Sequence, residues 1–99
     1  MDRLHKTLQE LGTPYEIKSI DLEEVIYRKL ETGFEFEVSG IYGNSRTCTL
    51  YVWSVVPRKI ISIYQNIPLA NLKDVLGYYA CVYQKLTDQF QVERQDIEV

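Results

Sequence analysis

Hydrophobic positions along this chain change period twice, from helical spacing to alternation and back to helical spacing. Leu4, Leu8 and Leu11 fall at i, i+4 and i+7, one stripe of a short helix that Asp2 can cap and that Gly12 with Pro14 would stop. Residues 15–20 alternate loosely and read as a strand. Residues 21–30 are ambiguous. Asp21 and Glu24 have capping-box-like spacing, and Leu22, Val25, Ile26, Lys29 and Leu30 suit a helix. Against that, Val25-Ile26-Tyr27 favours a strand, and Glu31-Thr32-Gly33 makes a three-residue hairpin loop ending on a left-handed glycine. Pairing about that loop sets Lys29 beside Glu35 and Ile26 beside Val38, opposite charges and apolar groups in register. The strand is the favoured reading.

Residues 34–41 alternate most clearly: Phe34, Phe36 and Val38 point one way, Glu35 and Glu37 the other, which predicts one dry and one wet face. Residues 47–56 form a strand apolar on both sides, with Cys48, Leu50, Val52 and Val56 opposite Tyr51, Trp53 and Val55. Pro57-Arg58 then turns the chain, and residues 59–65 return as a further strand. A two-residue loop there sets Val52 against Ile63, Tyr51 against Tyr64 and Trp53 against Ser62. Pro68 is suited to opening a long helix, in which Leu69, Leu72, Val75, Leu76, Tyr79, Val82, Tyr83, Leu86 and Phe90 keep one face. The predicted fold is α+β: an antiparallel sheet of four to five strands, with a short N-terminal and a long C-terminal helix packed on it. It spans 1–90 as a single domain, with a polar, frayed tail over 91–99.

Composition narrows the class. A chain of 99 residues has room for one core, and 45% hydrophobic with 25% charged residues is globular rather than disordered usage. The net charge of −3 is unevenly spread, because residues 38–73 carry Arg46, Arg58, Lys59 and Lys73 with no acid. Four bases in that stretch are too thin for the basic stripe of a nucleic-acid binder. Two distant cysteines make no disulfide framework. The charged, amphipathic N-terminal stretch and the lack of a long apolar run lead us to expect a cytoplasmic protein without a membrane span.

No catalytic constellation emerges. His5, the only histidine, has no ligand or nucleophile beside it in sequence. Cys48 and Cys81 each sit among apolar residues on a periodic element, as structural thiols do. Glu35 and Glu37 protrude from one sheet face, which usually means a solvated face rather than acid–base chemistry. The five glycines form no phosphate cradle. No catalytic residue, cofactor or metal is expected.

The aromatic sheet face stands above that background. The predicted pairing gathers Tyr51, Trp53, Val55, Ile60 and Tyr64, with Tyr27, Lys29, Glu35 and Glu37 continuing the same side. One long helix covers one side of a sheet. Either the N-terminal helix lies across part of the other, making the rings a secondary core, or the rings remain open to a partner. Tyrosine and tryptophan dominate binding hot spots because they bury much area with few torsions to freeze. The predicted partner-binding residues are Tyr27, Glu35, Glu37, Tyr51, Trp53, Arg58 and Tyr64. They lead us to expect a non-enzymatic protein-interaction domain, a small stand-alone inhibitor or regulator of a larger protein. By analogy of fold alone, mobile-element inhibitors of host nucleases such as anti-CRISPR proteins have this build. A homodimer through the same surface is a further outcome. The alternative is single-stranded nucleic acid, with bases on Tyr51, Trp53 and Tyr64 and phosphates on Arg46, Arg58 and Lys59.

Overall fold

The computed structural model describes the backbone of residues 1–98 and the side chains of residues 1–86. The chain runs α1 (Arg3–Leu11), β1 (Glu16–Ile20), β2 (Glu23–Lys29), β3 (Phe34–Ser39), β4 (Thr47–Ser54), β5 (Lys59–Pro68), a 3-10 turn (Leu69–Asn71) and α2 (Leu72–Glu98). The strands pair antiparallel with their neighbours in sequence, in the order β1-β2-β3-β4-β5. The sheet is a five-stranded meander built wholly from hairpins.

Local chemistry sets each boundary. The Asp2 carboxylate accepts the His5 N–H at 2.8 Å and so caps α1, while the N–H of Gly12 donates to the Leu8 carbonyl at 2.8 Å and closes it. The ambiguous segment is a strand. Lys29 lies opposite Glu35 and Ile26 opposite Val38, and Gly33 takes the left-handed conformation (φ 92°) that ends the loop. On the far side of β2 the chain reverses through Asp21 and Leu22, both left-handed at φ 53° and 68°. That two-residue turn twists with its strands but strains a branched side chain.

The β4–β5 hairpin differs from expectation. β4 ends at Ser54 and β5 begins at Lys59, so the loop is Val55–Arg58 rather than Pro57-Arg58. Two extra loop residues alone preserve every face. Ile61 then enters as an extra residue between the Trp53–Ile60 and Val52–Ser62 pairs, so from Val52–Ser62 to Leu50–Tyr64 the register is one residue off the expected one, until a second irregularity before Cys48–Ile67 restores it. Tyr51 therefore faces Ile63, Val52 faces Ser62 and Leu50 faces Tyr64. Pro68 is likewise the last residue of β5, and α2 opens four residues later, after the 3-10 turn.

Both helices lie on one side of the sheet. Ile26, Phe36, Val38, Leu50 and Val52 from the strands meet Leu72, Leu76 and Tyr83 of α2, and Leu4 of α1 joins the same core with Leu8 and Leu11 beside it. Each large side chain sealed there contributes about 1.5–3 kcal/mol. Tyr83 meets Phe34 and Phe36 edge-on, at centroid distances of 5.2 and 6.1 Å. Arg3 fixes the start of α1 by donating to the Gly43 carbonyl at 2.8 Å. Cys48 is buried in this core, whereas Cys81 is exposed on α2, contrary to the reading of both as structural thiols. Phe90 and the polar tail over 91–99 lie outside the residues whose side chains are described.

Candidate protein-binding surface

Strand alternation brings Tyr27 of β2, Glu35 and Glu37 of β3, Tyr51 and Trp53 of β4, and Ile60 and Ile63 of β5 onto the side away from the helices. Direct cross-strand pairs are Tyr27–Glu37, Glu37–Tyr51, Glu35–Trp53, Tyr51–Ile63 and Trp53–Ile60. Trp53 and Tyr51 are half-buried and Ile60 and Ile63 exposed. Tyr27, expected to contact a partner, is only 8% exposed, and Val25 on the same side of β2 is 1% exposed, so the accessible part of this face lies over β4 and β5.

A lattice of polar and aromatic contacts holds the rings in place. The Tyr27 hydroxyl and the Arg58 guanidinium each donate to one oxygen of the Glu35 carboxylate. Arg58 also stacks over the Trp53 ring at 4.6 Å, and the Trp53 indole N–H donates to Glu37 Oε1 at 3.0 Å. Lys18 of β1 sets its Nζ 4.1 Å above the Tyr27 ring. One chain of contacts thus runs from β1 to the β4–β5 loop.

The lattice explains why Glu35, expected on a wet face, is only 7% exposed. Its neighbours, rather than a helix, shield it. Burial pushes its carboxyl upward, but hydrogen bonds from Tyr27 and Arg58 and the Arg58 charge outweigh that and hold it below the usual range. Burial and the bond to Glu35 push the Tyr27 hydroxyl up to about 12. Glu37 goes the other way: burial first, then the charges of Glu23 and Asp21, raise it against the Trp53 hydrogen bond.

Of the seven residues predicted from sequence, Tyr27, Glu35, Glu37, Tyr51 and Trp53 share the face, and Arg58 leans over it from the loop. Tyr64 does not. The register carries it to the helix side, where it stacks on Tyr79 at 4.1 Å and hydrogen-bonds the Tyr83 hydroxyl at 2.8 Å. Ile63 takes its place on the open face. Lys18 was missed, because its side of the sheet follows only from the β1–β2 register, Lys18 opposite Val25 and Glu16 opposite Tyr27. His5 pairs with Asp2 at 2.8 Å on the exposed side of α1. Among the described residues no three His, Cys, Asp or Glu side chains gather as metal ligands, and no helix is long and apolar enough to cross a membrane. Comparison with family models, curated proteins and solved structures gives no match.

Proposed function

We propose that this chain is a non-enzymatic protein-binding module, a small inhibitor or regulator that docks on a larger protein through the helix-free face of its sheet. The observation that carries this reading is the placement of both helices on the opposite side, which leaves Trp53 and Tyr51 half-buried with no helix over them while Glu37 and Arg58 hold the indole in one orientation. Rings fixed before contact lose little entropy on binding, and aromatic anchors framed by polar groups suit a protein surface with a matching apolar pocket. A nuclease of the host cell fits that description by analogy of fold alone. Nucleic acid fits less well, because the Glu35 and Glu37 carboxylates stand directly across from Trp53 and Tyr51, where phosphates would pass.

The test is affinity capture from the native cell with wild type and Tyr51→Ala/Trp53→Ala in parallel. The double variant should keep its circular dichroism and lose the protein that wild type retains. A partner held equally by both places the interface elsewhere. Binding of a single-stranded oligonucleotide at low salt, falling steeply with added salt, supports the nucleic-acid reading instead.

A further inference from the structure

Tyrosines gather on the helix side of β5. The extra residue at Ile61 turns Tyr64 away from the Trp53 face and toward α2. There its ring stacks on Tyr79 at a centroid distance of 4.1 Å, and Tyr78 meets Tyr79 at 5.1 Å with the ring planes 77° apart. The three rings form a corner, not a flat layer. The Tyr64 hydroxyl lies 2.8 Å from that of Tyr83, which donates to Ser62 Oγ at 2.8 Å, so the inner wall is fixed in place.

A groove of about 800 Å³ opens along these rings, between β5 and the first turns of α2. Asp74 is the only charged residue in its lining. It stands one helical turn, roughly 6 Å, before Tyr78, a spacing at which side chains meet on one face of a helix. Asp74 is exposed and makes no ion pair among the described residues. Elsewhere the chain supplies its own cation to an aromatic face: Lys18 over Tyr27 at 4.1 Å, Arg28 over Tyr15 at 5.3 Å and Arg58 over Trp53 at 4.6 Å. Among the described residues none stands over Tyr64, Tyr78 or Tyr79.

We infer that this groove is a binding site for an organic ammonium ion, held between the Tyr78 ring and the Asp74 carboxylate with Tyr64 and Tyr79 as its wall. Aromatic faces carry negative charge density, so an alkylammonium gains from several rings at once without needing a hydrogen-bond acceptor on every side. A hard metal ion takes more oxygen ligands than one carboxylate supplies. An anion is repelled by Asp74. The positive end of α2 does not oppose the cation, because its influence fades within the first turn and Tyr78 lies in the second. Tyr51 and Trp53 lie on the other side of the sheet, so this inference does not depend on the function proposed above.

Choline is the probe, and amide NMR titration of the full chain reads its binding. Choline should shift the signals of the β5 and α2 residues around the groove along a saturable curve. Its uncharged isostere dimethylbutanol, with carbon in place of the nitrogen, should leave them unmoved. Tyr78→Ala and Asp74→Asn, both at exposed sites, should keep the wild-type circular dichroism and each weaken choline roughly threefold to tenfold. Tyr42→Ala removes an equally exposed ring (65%) outside the groove and should bind as wild type does. No saturable shift with choline overturns the inference. So does a neutral isostere that binds as tightly, a pair of groove variants that bind like wild type, or a Tyr42→Ala variant weakened as much as Tyr78→Ala.

Discussion

Glu35 shows how far a single residue departs from what alternation implies. A glutamate on the polar side of a strand reads as solvated, yet its carboxylate is shared between the Tyr27 hydroxyl and the Arg58 guanidinium and lies almost out of water. With its titration held below the usual range, it contributes stability that is complete above the ordinary glutamate value of about 4.3 and is lost as pH falls through the folded value. Glu35→Gln should therefore cost about 1–2 kcal/mol at pH 7, toward the lower end because Arg58 is half exposed and screened. Urea unfolding at pH 7 and pH 3 should show the two proteins converging in acid. A cost as large at pH 3 as at pH 7 means that the charge contributes nothing. Glu37 is raised instead, so its share is present in acid and lost as pH rises through the folded value. Glu37→Gln, which keeps an oxygen for the Trp53 indole, should be neutral or stabilising by up to about 1 kcal/mol at pH 7. Leu22 is a separate case, left-handed and fully exposed. Leu22→Gly should relieve strain and raise stability by about 1 kcal/mol, read from the same urea curves; no gain would show that the turn is unstrained.

Hairpins account for what the sequence made legible among the elements. The Glu31-Thr32-Gly33 loop and the charge match of Lys29 with Glu35 were enough to place β2 and β3 in register, because both signals lie within a few residues of each other. The β4–β5 hairpin was not legible. No residue pattern around Pro57 announces a four-residue loop, and Ile61 looks like any other strand isoleucine, so the bulge that reverses the faces is hidden. Tyr64 was misplaced for that reason alone, while Trp53 and Tyr51, on the strand before the loop, were placed correctly. For α2 the stripe was plain, and its hold on the sheet rests on a few fully buried side chains. Leu76→Ala should cost about 2–5 kcal/mol in chemical denaturation, since Leu76 is 1% exposed between sheet and helix. A loss below 1 kcal/mol would mean that α2 docks without it.

At the scale of the molecule, the layering decides what the face can do. A single long helix predicts one covered side, but nothing in three leucines at helical spacing says which side a short helix chooses. The structure puts Leu4 into the core built by α2, and Tyr51 and Trp53 are left half-buried on the side without a helix. The account rests on that asymmetry, and the chain carries its own reporter, since Trp53 is its only tryptophan. Acrylamide quenching of Trp53 fluorescence in the free protein tests the point directly. Half-buried placement on the helix-free side predicts emission between that of a core indole and that of the urea-unfolded chain, with clear acrylamide quenching in the folded state that rises further on unfolding. Blue-shifted emission that acrylamide barely reaches would show the indole sealed inside the protein and would contradict the open face.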